Sequence, residues 1–206
     1  RPGVKGLARF RRGSKDMRPV IVVSGLPRSG TSMMMSMLTA GGVDPVTDGL
    51  RKADVDNPGG YYELERAKGL SSGDTAWLAD AKGKAVKVIA GLLFDLPDDY
   101  RYQVIFMRRR MAEILASQRK MLVNRGQDPD AVSDDEMARL FEGHLQRVER
   151  WFVDHENVER LDIDYNTLVS GGGAEAAAQI AAFLGLSLNT AAMEAVVDPA
   201  LYRRRT

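Results

Sequence analysis

The chain has 206 residues, enough for one domain with a proper hydrophobic core. Its 29 Lys and Arg nearly balance 28 Asp and Glu, so no global field points to nucleic acid or an anionic membrane as a partner. The absence of cysteine excludes disulfides and thiolate metal sites and suits a reducing, cytoplasmic setting. No apolar run approaches the ~20 residues that span a bilayer.

Basic residues crowd the N-terminus: Arg1, Lys5, Arg9, Arg11, Arg12, Lys15 and Arg18 face only Asp16. Residues 1–18 read as a solvated basic arm, with contact to an acidic substrate as the alternative, and residues 19–206 as a single domain. Val20–Val23 is a β-branched strand that feeds Ser24-Gly25-Leu26-Pro27-Arg28-Ser29-Gly30-Thr31-Ser32, and Met33–Leu38 continues as a helix. Successive backbone N–H groups in such a loop, with the positive end of the helix dipole behind them, cradle an anion. The spacing G-x4-G-T-S is that of an ATP-binding phosphate loop with one change. Thr31 stands where the lysine belongs, and the basic residue comes earlier, at Arg28.

Gly41-Gly42 stops the first helix, and Val43–Val46 reads as a short second strand. Residues 47–60 are polar and read as a surface loop ending at Asn57-Pro58-Gly59-Gly60; Glu63 to Asp80 reads as helical with a break near Ser71–Asp74. Ala85–Ile89 is a third strand and Tyr102–Met107 a fourth, running directly into a helix over Arg110–Val123. Ser133-Asp134-Asp135-Glu136 is a capping box. After it, Met137, Leu140, Phe141, Leu145, Val148, Trp151 and Phe152 fall at helical spacing and read as core. Val158–Ile163 is a fifth strand, and helices over 174–184 and 190–197 follow Gly171-Gly172-Gly173. This alternation predicts an α/β three-layer sandwich, with a central parallel sheet of about five strands covered by helices on both faces. Ligands in such folds bind at the carboxyl ends of the strands.

The fourth strand ends in Met107-Arg108-Arg109-Arg110, and Ser117 lies two helical turns beyond Arg109. A Mg²⁺-nucleotide enzyme would place an aspartate at such a strand end. Arginines there suit a phosphate dianion without a metal. Ser117 lies ~12 Å along a regular helix, within reach of the same group as a long arginine.

Together, the loop Arg28-Ser29-Gly30-Thr31-Ser32 and the pair Arg109 and Ser117 resemble the sulfotransferase family, most closely its small bacterial-type members. The resemblance runs from Val20 to Tyr202. It implies that the loop binds the 5′-phosphosulfate end of 3′-phosphoadenosine-5′-phosphosulfate, and that Arg109 and Ser117 bind the 3′-phosphate. Val86-Lys87-Val88-Ile89 resembles the family strand whose lysine approaches the transferred group. Asn57-Pro58-Gly59-Gly60-Tyr61-Tyr62-Glu63 and Asp198-Pro199-Ala200-Leu201-Tyr202-Arg203 resemble two further elements, the second placing Arg203 over the nucleotide.

In-line sulfuryl transfer builds negative charge on the bridging and equatorial oxygens, which fixed cations and N–H donors stabilise without a metal. Arg28 and Lys87 are assigned that role, and the Ser29–Ser32 amides and hydroxyls the cradle. The competing reading of Lys87 is a strand residue facing solvent. Many members place a histidine two residues after the lysine, where this chain has Ile89; His144 and His155 read as structural. Glu63 is the preferred base, read as opening a helix near the loop, with Glu65, Asp54 and Asp56 behind it. The acceptor is expected to be a polar metabolite, a lipid headgroup or a saccharide. Two other functions compete: a P-loop kinase or NTPase, with Asp162 or Asp164 as metal ligand, and a non-catalytic module binding a nucleotide or a polyanion.

Overall fold

The computed structural model describes residues 17–50, 53–54 and 60–197. Five strands form one sheet: β1 (Val20–Gly25), β2 (Pro45–Val46), β3 (Ala85–Lys87), β4 (Tyr102–Arg108) and β5 (Val158–Asp164). Their order is β2-β3-β1-β4-β5, with every neighbouring pair parallel. The register sets Val23 beside Lys87 and Gly25 beside Met107. β1 is therefore central, and the chain leaves it between the ends of β3 and β4.

Helices cover both faces, because successive strand residues point to opposite sides and both sides are apolar. On one face Ile21, Val23, Ile105, Met107 and Ile163 pack against α1 (Thr31–Ala40), α6 (Gly173–Leu184) and α7 (Thr190–Ala195) through Met34, Leu38, Ile180 and Met193. On the other, Val20, Val22, Val86, Val104 and Phe106 meet Trp77, Leu78, Leu93, Val148 and Trp151. The three-layer α/β arrangement expected from the alternation is what the chain forms. Among the described residues, no helix is long and apolar enough to cross a membrane.

Local departures from the sequence reading have physical causes. The segment from Glu63 to Asp80 is not one broken helix. It holds a four-residue α2 (Glu65–Lys68) and 3₁₀ turns at Gly69–Ser72 and Ala76–Ala79. Gly73 in the left-handed region stops the first of these turns, and Arg66 grips Asp74 through two hydrogen bonds across the bend. Glu63 thus precedes the helix instead of opening it.

The segment after β5 contains a helix the reading lacked, α5 (Tyr165–Val169), whose N-cap Asp164 accepts from the Thr167 amide at 2.7 Å. Five residues are too few to display helical periodicity.

The apolar stripe, expected to be core along its whole length, is core only in part. In α4 (Asp134–Asp154) Val148 and Trp151 are buried, whereas Leu140 is 60% exposed. A 21-residue helix is about 31 Å long and a seven-residue strand such as β4 about 23 Å. The helix is the longer of the two, and Met137 and Phe141 in its first half are half-buried. Its N-cap is as expected, with Ser133 Oγ accepting from the Glu136 amide at 3.2 Å.

Candidate functional site

The loop between β1 and α1 is shaped by close approaches. A Cβ on Gly25 would lie 2.5 Å from Ser29 Oγ and 2.9 Å from the Met107 carbonyl oxygen. One on Gly30 would lie 2.5 Å from Tyr165 Cδ2, and Gly30 has φ of 102°. Between them Arg28 adopts the left-handed conformation, φ 67°, unusual for a residue with a side chain. Thr31 then opens α1, which has no side-chain cap and no acidic residue in its first turn. The first amides of a helix have no intrahelical acceptor, and the first turn of α1 carries no carboxylate of its own to offset the positive dipole end. Ser29 Oγ, fully buried against this turn, has no hydrogen-bond partner.

On the β4 side lies α3 (Met111–Asn124). Arg28 Nε donates to Ser117 Oγ at 2.9 Å, and an Arg109 terminal nitrogen donates to the Arg28 carbonyl at 2.9 Å. Arg28 is thus held at its backbone by one expected phosphate ligand and at its side chain by the other. Arg109 and Ser117 do not bond to each other. Arg109 Nε donates to Glu113 Oε2 at 3.0 Å, and its guanidinium lies 4.3 Å over the Tyr165 ring. Arg108, the first arginine of the run, is turned to the sheet edge and pairs with Glu149 and Asp162.

On the β3 side Lys87 is not a solvent-facing strand residue. Its side chain is 9% exposed, and its Nζ donates to the Tyr61 carbonyl at 2.8 Å and to Ser32 Oγ at 3.3 Å. Glu63 Oε1 lies 3.9 Å from the same nitrogen. The segment carrying Glu63 is pinned from β2: Thr47 Oγ1 donates to the Glu63 carbonyl, and Asp48 accepts the Glu65 amide at 2.6 Å. That bond, with a second from Leu50, holds the Asp48 carboxyl below its usual range. Tyr61 adds an anchor by donating from its hydroxyl to Asp54.

No family model and no curated protein matches this chain. What the site does is therefore read from its residues. The fold brings together Arg28, Ser29, Gly30, Thr31, Ser32, Arg109 and Ser117 on one side, and Lys87 and Glu63 on the other. Of the other carboxylates weighed as a base, Asp54 is engaged by Tyr61 and Glu65 pairs with Lys68 at 2.7 Å. Asp56, Arg203 and the arm over residues 1–16 lie outside the described residues. His144 packs edge-on to Phe94, and His155 Nδ1 hydrogen-bonds with the Trp151 carbonyl.

Two residues of this region carried no signal that the sequence reading used. Glu113 is 1% exposed and receives both Arg109 and Asn166, the latter at 2.6 Å. The i,i+4 spacing from Arg109 to Glu113 was the one available clue.

Proposed function

We propose that the protein is a sulfotransferase that moves a sulfuryl group from 3′-phosphoadenosine-5′-phosphosulfate to a hydroxyl or amine acceptor. One observation carries this reading. The loop at the end of the central strand is flanked by a cation on each side, Lys87 at the end of β3 and Arg109 just past the end of β4, each bonded into the loop or the first turn of α1. The donor set fits the nucleotide: an uncapped helix N-terminus, serine hydroxyls and arginines suit phosphate and sulfate oxygens, and no first-turn carboxylate repels them.

Arg28, Ser29, Gly30, Thr31 and Ser32 would hold the 5′-phosphosulfate, and Arg109, Ser117 and Arg203 the 3′-phosphate. When bound, the nucleotide supplies an activated sulfuryl group on a phosphate leaving group. Lys87 and Arg28 present positive charge where the equatorial and bridging oxygens become more negative. Lys87 is held by a carbonyl and a hydroxyl, so its ammonium is oriented before substrate arrives. Glu63, beside Lys87 and partly exposed, is placed to accept the acceptor's proton at its carboxylate. A polar metabolite, a lipid headgroup or a saccharide is the acceptor class we favour, and a cytoplasmic location fits the cysteine-free sequence.

The kinase reading is weaker on this geometry. It needs a carboxylate at the end of a strand beside β1, and there stand Lys87 and Arg108. Asp162 is committed to Arg108 and Arg160 on the edge strand, and Asp164 caps α5.

Titration calorimetry tests the proposal, using 3′-phosphoadenosine-5′-phosphate with and without Mg²⁺ beside ATP and adenosine 5′-phosphate. Tight, metal-independent binding that drops without the 3′-phosphate is expected. Preference for ATP with Mg²⁺, or indifference to the 3′-phosphate, would overturn the reading in favour of the kinase. Binding of the nucleotide with no transfer to any acceptor would favour a non-catalytic module.

A further inference from the structure

Arg28 sits in a conformation that a side chain disfavours, so something must hold it there. What holds its backbone is a chain of buried polar contacts that begins two strands away. Asn166, the second residue of α5, donates from Nδ2 to Glu113 Oε1 at 2.6 Å, and its Oδ1 accepts the Arg110 amide at 3.2 Å. Glu113 is 1% exposed and takes Arg109 Nε on its other oxygen at 3.0 Å. With its Nε fixed, Arg109 directs a terminal nitrogen at the Arg28 carbonyl, 2.9 Å away. Tyr165, next to Asn166, has its ring 4.3 Å from the Arg109 guanidinium and so close to Gly30 that no Cβ fits there.

We propose that Glu113 and Asn166 are positioning residues for the loop between β1 and α1, acting through Arg109 on the backbone of Arg28. The nucleotide-binding role of that loop rests on the function proposed above; the positioning itself does not. A carboxylate buried to this degree is costly unless it is paired and hydrogen-bonded. The site supplies Arg109 and Asn166, with Arg110 at 3.9 Å, and so locks the carboxylate between them. With one oxygen on Arg109 Nε and the other on Asn166 Nδ2, Glu113 is fixed in place and restrains the Arg109 guanidinium, which aims its remaining N–H groups. The arrangement assigns Arg109 a second task beside the phosphate contact that its position implies: it is the strut of the loop that the 5′ end of the nucleotide must enter.

The test has two readouts on full-length Glu113→Gln and Asn166→Ala. Asn166 is buried but lines a polar cleft with Arg110, Asp164 and Thr167 and belongs to neither apolar core cluster, so Asn166→Ala carries the test if Glu113→Gln does not fold. The first readout is hydrogen–deuterium exchange of the ligand-free protein. Exchange is expected to rise at residues 26–32 in both variants, with β1, β4 and α6 unchanged. Unchanged exchange in the loop would overturn the proposal whatever the protein binds. The second is affinity for 3′-phosphoadenosine-5′-phosphate and for adenosine 5′-phosphate. Misplacing a preorganised loop is expected to weaken both by about tenfold or more. A residue that merely stabilises the fold would lower the melting temperature and leave both affinities of the folded protein intact, and that result would also refute positioning. Loss confined to the 3′-phosphorylated nucleotide would mean that Glu113 serves only Arg109 as a ligand. If exchange rises but wild-type protein binds neither nucleotide, the strut stands and the sulfotransferase reading falls.

Discussion

Replacing Gly30 with alanine should be among the most damaging single-methyl additions in this protein, and the structure separates the two reasons. Gly30 has φ of 102°, where a residue with a Cβ is strained, and its Cβ would lie 2.5 Å from Tyr165 Cδ2 and 3.0 Å from Cε2. The ring cannot swing away, because it is buried at 6% exposure with the Arg109 guanidinium 4.3 Å above it. Backbone strain of this kind costs about 1–3 kcal/mol and overpacking a further 1–3, so the sum is about 4 kcal/mol. Gly42 provides the control: its φ is 101°, and an added Cβ meets nothing within 4 Å. Urea unfolding of wild type, Gly30→Ala and Gly42→Ala, with linear extrapolation, gives the comparison. Gly42→Ala should show the strain alone, about 1–3 kcal/mol. In a Tyr165→Leu background the excess cost of Gly30→Ala over Gly42→Ala should shrink, since contacting residues are coupled. Equal costs for the two glycines in the wild-type background would show that the close packing of Tyr165 on this loop is not what shapes it.

Lys87→Met removes an ammonium held by Tyr61 and Ser32, and should lower turnover about 100-fold or more while the protein stays folded; the check is sulfuryl transfer under saturating donor, and near-normal turnover would remove Lys87 from the site. Glu63→Gln should abolish most transfer to an alkyl alcohol while leaving nucleotide affinity near wild type, and retained turnover would mean another base. Ser133→Ala should cost about 1 kcal/mol in denaturant unfolding through loss of the α4 cap. His144 is pushed below its ordinary value of 6.5 by burial and by Arg147. Above 6.5 its contribution to stability is complete; as pH falls from there toward the folded value, the unfolded chain takes the proton first and that stability is lost. Melting temperatures recorded from pH 8 to pH 5 should therefore converge for wild type and His144→Asn relative to their separation at pH 8, and parallel curves would show that His144 is solvated.

Much of this protein is written locally. The β-branched run Val20–Val23, the glycines that bracket Arg28, the Ser133 cap and the alternation of strand and helix each depend on neighbours along the chain, so the element order and the α/β class were legible from residue patterns. Arg109 and Ser117 were singled out by the family resemblance and not by their spacing, since an arginine and a serine fall eight residues apart by chance in many chains; the contacts both make with Arg28 are tertiary. What the chain could not disclose one window at a time was the sheet order β2-β3-β1-β4-β5. That order, a matter of which strands pair across long crossovers, sets Lys87 on one flank of the loop and the arginines on the other. It also turned Ser117 toward Arg28 and brought Asn166 under Glu113, contacts that span 89 and 53 residues of sequence. The exposure of Leu140 in α4 is likewise decided by tertiary packing. An amphipathic stripe records that a face can be buried, but the elements packed around it decide how much of it is.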